Sequence, residues 1–110
     1  MKTSYIVYTN NSQKYIDKLL QSILEKIDET EEELVIIDDI STDDTVPKIV
    51  NTIGLNFTDE EHYKFYINNE KIGKRASIEK AKKIATGDFK FIINKKGRVN
   101  IWYKLAIFKS

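Results

Sequence analysis

Hydrophobic positions alternate between short continuous runs and stretches with helical spacing. Tyr5-Ile6-Val7-Tyr8 is a β-rich run that stops at Thr9-Asn10-Asn11-Ser12, residue types that favour turns and helix caps. Ile16, Leu19, Leu20, Ile23, Leu24 and Ile27 follow at offsets 0, 3, 4, 7, 8 and 11, with Lys14, Asp17, Lys18 and Glu25 between them, which predicts an amphipathic helix. Leu34-Val35-Ile36-Ile37 is apolar without alternation and runs into Asp38 and Asp39, the pattern of a parallel strand covered on both faces. Val46, Ile49, Val50 and Ile53 then trace one face of a short helix. Ser41-Thr42-Asp43-Asp44-Thr45 offers its N-terminal caps, and Pro47 falls in the first turn, where its missing N–H is not required.

Residues 54–62 are polar and predict an irregular connection. Tyr63, Phe65 and Ile67 alternate with Lys64 and Tyr66, as in a strand with one wetter face at the edge of a sheet. Gly73 precedes a basic helix over residues 74–85 with a narrow apolar stripe through Ile78, Ala81, Ile84 and Ala85, and Gly87 is expected to end it in the left-handed conformation. Residues 89–93 give a fourth strand. Strands and helices in alternation predict an α/β fold, three layers α/β/α around a mostly parallel, Rossmann-like sheet of about four strands. The apolar tail, residues 99–108, fits a strand or a helix by spacing; the expectation is a strand paired through a hairpin at Asn94-Lys95-Lys96-Gly97.

The chain has 110 residues, one proline and no internal repeat, so residues 1–110 are expected to form a single domain. Eighteen Lys+Arg against 17 Asp+Glu leave a formal charge of +1, which removes the bulk electrostatic case for a nucleic-acid partner or an anionic membrane. No segment approaches the ~20 apolar residues of a membrane span. The absence of cysteine excludes disulfides and thiolate metal sites and suits a reducing compartment, so a cytoplasmic location is expected.

Ligands of open parallel sheets bind beyond the carboxyl ends of the strands, here residues 9–11, 38–42, 68–73 and 94–97. Asp38 and Asp39 are placed to accept hydrogen bonds from a nucleobase edge or ribose hydroxyls, or else to cap the next helix and complement its dipole. His62, the single histidine, has no partners at metal-ligand spacing and reads as a surface or strand-edge residue; Trp102 and Tyr103 read as core or interface. No Gly-x-Gly-x-x-Gly follows the first strand, which removes a dinucleotide site. A receiver-like phosphoacceptor domain lacks a clearly placed late lysine.

Three segments carry a family resemblance that spans nearly the whole chain. SYIVYTNNSQKYIDKLLQSIL is similar to the opening strand, Thr-containing turn and first helix of the family 2 glycosyltransferases, inverting enzymes with the A-type fold. ELVIIDDISTDDT is close to their strand followed by Asp-Asp-Gly-Ser-Thr-Asp-Asp-Thr, and NNEKIGKRASIEKAKKIATGDFKFI resembles their Asn-x-Gly helix, Ala-x-Gly-Asp/Glu-aromatic turn and fourth strand. The resemblance implies a nucleotide-sugar ligand, a UDP-sugar being favoured. By position, Thr9 and Asp39 would contact the base, Asp38 would shape the pocket, and Lys74 and Arg75 would lie near the diphosphate.

Family members follow the fourth strand with Asp-x-Asp, whose carboxylates hold Mg or Mn against the phosphates. Asn94, Lys95 and Lys96 stand there instead. The resemblance thus implies that the metal motif is lost, with Asn94 keeping an amide oxygen and Lys96 partly neutralising the diphosphate, unless the segment is a plain hairpin turn. No metal ligand and no catalytic residue is assigned, because the acceptor half with its general base is also missing from the match, as in a truncated glycosyltransferase. The expected function is nucleotide-sugar binding with weak or no transfer by this chain alone. The alternative is a non-catalytic remnant that binds a partner or a second copy of itself through its sheet edge or apolar tail; a third possibility is one piece of a split transferase, whose partner would be a separate acceptor domain. Asp39→Ala is expected to abolish nucleotide affinity and spare stability if the pocket is used, and to cost about 1 kcal/mol of stability if the residue is only a cap.

Overall fold

In the computed structural model, which describes residues 2–28, 31–56 and 62–93, the apolar runs become the strands β1 (Thr3–Thr9), β2 (Glu32–Asp38), β3 (Tyr63–Ile67) and β4 (Phe89–Ile92). Between them lie α1 (Ile16–Lys26), α2 (Thr45–Asn56) and α3 (Lys74–Ile84). Each described strand pairing is parallel, in the order β3-β2-β1-β4. The chain steps outward from β1 to β3 and then crosses back beyond β1 to β4, so α1 and α2 cover one face and α3 the other. Val7, Leu34, Ile36 and Tyr63 pack with Ile16, Leu19, Leu20 and Ile23 of α1 and Ile49 of α2 on one face. Ile6, Val35, Ile37 and Ile92 pack with Ile78 and Ala81 of α3 on the other. This is the three-layer α/β/α arrangement that the spacing predicts, and the two-sided burial of β2 explains why its apolar run lacks alternation.

Three details differ from the pattern read in the sequence. The second helix extends through Asn56 into the stretch expected to be irregular, and Val50 on its expected apolar face is 52% exposed, leaving Ile49 and Ile53 to make the contact. Gly87 does not adopt a left-handed conformation; α3 ends on extended Ala85. Glycine is needed at 87 for close approach, since a Cβ there would lie 2.4 Å from Ser4 Oγ and 2.7 Å from Ser4 N. The hairpin expected after β4 and the strand expected at 99–108 lie outside the described residues.

The amino ends of the strands are tied by one buried charge. Glu33 is 0% exposed, accepts from the Ser4 hydroxyl, from Thr86 N–H at 2.6 Å and Thr86 Oγ1 at 3.0 Å, and pairs with Lys64 Nζ at 3.0 Å. It thereby links β1, β2, β3 and the segment before β4. Burial alone would raise this carboxyl, but the hydrogen bonds from Ser4, Thr86 and Lys64 outweigh it and hold it at about 2, below the usual 4.5. Such a group adds stability that is complete above about pH 4.5 and is lost as pH falls toward about 2. Glu33→Gln, which leaves Lys64 without its charge partner, is expected to cost about 3 kcal/mol at neutral pH and to flatten the acid dependence. Urea unfolding of both chains across that pH window checks this; parallel pH profiles for the two would contradict it.

Candidate functional site

Parallel register aligns the carboxyl ends of β1, β2 and β3. Asp39 N–H donates to the Thr9 carbonyl and Asn68 N–H to the Asp38 carbonyl, each at 2.9 Å, so Thr9, the two aspartates and Asn68 lie side by side. Successive side chains of a strand point to opposite faces. Asp38 accordingly meets Thr9 on one face, while Asp39 meets Tyr8 and Asn68 on the other.

Asp38 closes the turn that leaves β2. Its Oδ1 accepts from Thr9 Oγ1 and from Ser41 Oγ, both at 2.6 Å, and its Oδ2 accepts from Ser41 N–H at 2.8 Å. Asp39 gathers a more distant loop. Oδ1 accepts from Asn68 Nδ2 at 3.0 Å and Ile72 N–H at 2.8 Å; Oδ2 accepts from Gly73 N–H at 2.8 Å and more loosely from the Tyr8 hydroxyl at 3.4 Å. Burial works to raise the Asp39 carboxyl, yet these donors prevail and hold it below the usual carboxylate range. The Tyr8 phenol is pushed up by its own burial and by the charge of Asp39.

The structure therefore brings Thr9, Asp38 and Asp39 together, but with their polar atoms engaged by the chain itself and all three residues 0% exposed. Removing the Asp39 carboxylate would deprive four donors of their acceptor, the Asn68 amide, the Ile72 and Gly73 N–H groups and the Tyr8 hydroxyl, so Asp39→Ala is not expected to spare stability. Capping of the next helix is also not their task. That falls to Asp43, which accepts from Thr45 N–H at 2.9 Å and from Gln13 N–H at 3.2 Å. Burial opposes this carboxylate too, and the Thr45 and Gln13 donors hold it low. The loops after β1 and β2 are further laced by Asn10 Nδ2 to the Asp39 carbonyl (2.7 Å), Asn11 N–H to Ser41 Oγ (2.8 Å) and Ser12 N–H to Thr45 Oγ1 (2.7 Å).

Above this floor the rim is polar and open: Asn11, Thr42, Asn69, Lys71, Lys74 and Arg75 are exposed. Lys74 and Arg75 open α3, whose first turn contains no acid. Cations are unfavourable at that positive helix end, and an anion placed over it would relieve them. Asn94 and Lys96 lie outside the described residues. Among the described residues no three His, Cys, Asp or Glu side chains gather as a metal site, and an Asn-Lys-Lys sequence after β4 offers one amide oxygen and two ammonium groups. That donor set does not fit a hard divalent cation. Sequence spacing missed Tyr8, for which the available signal was its position beside Thr9; it placed Asn68 in the 68–73 segment after β3 but gave it no role.

Known proteins share this architecture. Poly(ribitol-phosphate) beta-N-acetylglucosaminyltransferase TarS of Staphylococcus aureus is 36% identical over 104 residues, which is 91% of this chain and 17% of TarS. The chain thus spans about a sixth of the length of the curated relative it matches. A crystallised TarS fragment solved with UDP superposes with a TM-score of 0.73 and 34% identity over 86% of this chain and 27% of that one; the same fragment with UDP-GlcNAc gives 0.68. The mannosyltransferase PcManGT from Pyrobaculum calidifontis, in complex with GDP-Man and Mn2+, shares the fold with a TM-score of 0.77 at 20% identity, over 99% of this chain and 32% of that one. The family profile described as Glycosyl transferase family 2 matches residues 4–95, well over half of the chain, and the protein belongs to that family.

Proposed function

We propose that residues 1–110 form a nucleotide-sugar-binding domain whose ligand, a UDP-sugar, lies over the carboxyl ends of β1, β2 and β3. The observation that carries this proposal is the knot of loops held by Asp38 and Asp39, which presents a rigid polar rim instead of a closed core at the point where parallel-sheet proteins bind ligands. The UDP and UDP-GlcNAc complexes of TarS support the choice of donor.

Charge gives the ligand a direction. Two buried carboxylates beneath the cleft repel a diphosphate and favour the N–H and O–H donors of a base and ribose. The diphosphate then belongs over the start of α3, toward Lys74 and Arg75, where the helix end and both cations attract it. Thr9, Asp38 and Asp39 serve as the floor that fixes the base. A base N–H can reach Asp39 Oδ2 most easily by replacing the long Tyr8 contact. Asn94-Lys95-Lys96 brings no carboxylate to the position where the family's metal ligands are expected, so transfer by this chain alone is expected to be weak or absent. The competing module reading draws on Tyr66 and Ile67, 41% and 48% exposed at the edge strand β3.

Isothermal titration with UDP and UDP-GlcNAc, with light scattering on the same sample, separates the two. Saturable UDP binding by a monomer is expected; a self-associated chain that takes up no nucleotide would reverse the conclusion. Reversal of both rim charges, Lys74→Glu with Arg75→Glu, is expected to weaken UDP at least tenfold and uridine hardly at all. Equal losses for both ligands would remove the diphosphate from α3. Asp39→Ala is expected to lower unfolding free energy by about 3 kcal/mol in urea melts, because buried donors lose a charged acceptor; a loss near the 1 kcal/mol of a simple cap would show that the carboxylate is not the anchor of the Ile72-Gly73 loop.

A further inference from the structure

Ile40 occupies a backbone conformation that its side chain opposes. Its φ is 53°, in the left-handed region, where a β-branched residue is an outlier and glycine or asparagine is at ease. Both neighbours are fixed. Asp39 donates its N–H to the Thr9 carbonyl at 2.9 Å and accepts Asn10 Nδ2 on its own carbonyl at 2.7 Å. Ser41 returns its N–H to Asp38 Oδ2 at 2.8 Å and its hydroxyl to Oδ1 at 2.6 Å. The turn therefore imposes this conformation on whatever residue stands at 40.

Core packing does not account for isoleucine there. The residue is half-buried and belongs to neither hydrophobic cluster of the described residues. It directly follows Asp39, whose carbonyl holds Asn10 and whose carboxylate holds the Ile72-Gly73 loop. Strained residues persist where the surroundings over-determine them, and they cluster at ligand-binding sites.

We propose that Ile40 is a specificity-determining contact of the nucleotide cleft, its apolar side chain packing on the face of the pyrimidine ring. This rests on the nucleotide-binding function proposed above and adds to it the residue that reads the base. The polar rim leaves the flat, weakly hydrated face of a base without an apolar partner, and Ile40 supplies one next to the floor carboxylates. A structural residue and a base-reading residue respond oppositely to relief of the strain, which makes the two separable.

The test compares the full chain with Ile40→Gly and Ile40→Asn by thermal unfolding without ligand and by calorimetric titration with UDP. Asparagine tolerates the left-handed conformation without the added chain entropy of glycine, so Ile40→Asn is expected to raise Tm by about 4 °C and Ile40→Gly by less. Both variants are expected to bind UDP about tenfold more weakly than the parent chain. UDP affinity within twofold of the parent in both variants would overturn the base contact while leaving the cleft intact. A fall in Tm for both would overturn it by showing that Ile40 is a packing residue. A parent chain that binds no UDP would instead remove the nucleotide cleft itself, and this contact with it.

Discussion

Two adjacent carboxylates at the end of a fully buried strand must each find donors, because an uncompensated charge in a protein interior costs several kcal/mol. Asp38 and Asp39 point to opposite faces of the sheet, so they recruit from opposite sides. Asp38 takes the Thr9 hydroxyl and the Ser41 turn; Asp39 takes Asn68, Ile72, Gly73 and Tyr8. Three loops that have no apolar reason to meet are thereby drawn over one end of the sheet. The approach of the α3 N-terminus to this end of the sheet follows from the Gly73 N–H that Asp39 holds.

The same logic operates at the other end of β2. Glu33 ties the amino ends of the strands and the Thr86-Gly87 segment as Asp38 and Asp39 tie the carboxyl ends. The apolar stretch Leu34-Val35-Ile36-Ile37 is thus bracketed by buried charges that set its depth and register, while hydrophobic burial on both faces supplies the driving force. The two ends differ in what surrounds the charge. Glu33 is met by Lys64 and closed over by Thr86, and it makes a staple. The aspartates are met by neutral donors, and the Gly73 N–H held by Asp39 directly precedes the exposed cations Lys74 and Arg75 at the start of α3.

Much of this was legible in the amino-acid pattern. Period and run length predict the four strands, the three helices, the edge position of β3 and the parallel sheet, because each depends on local spacing and burial. The Asp-Asp-x-Ser-Thr-Asp-Asp-Thr segment points to the end of the sheet at which Asp38 and Asp39 gather the loops. The partners of Asp38 and Asp39 were not legible, since Asn68, Ile72 and Gly73 lie far along the chain and two of them contribute only backbone N–H groups, which every residue type but proline carries. Gly87 illustrates the same limit: its type was read correctly as constrained, but the constraint is contact with Ser4 across the sheet and not a helix end. Ile40 looked unremarkable as a letter, and only its φ reveals that it is out of place.

The most direct test of the account is a nitrogen-15 NMR titration of the whole chain with UDP, because it reports where on the molecule a ligand sits. Amide shifts are predicted to move at Asn10, Asn11, Ile40, Ser41, Thr42, Ile72, Gly73 and Lys74, with Lys2, Glu33, Lys64 and Thr86 unchanged at the opposite end of the sheet. Perturbations confined to that opposite end, or no perturbation at saturating UDP, would contradict the claim that the loops gathered by Asp38 and Asp39 form the nucleotide site.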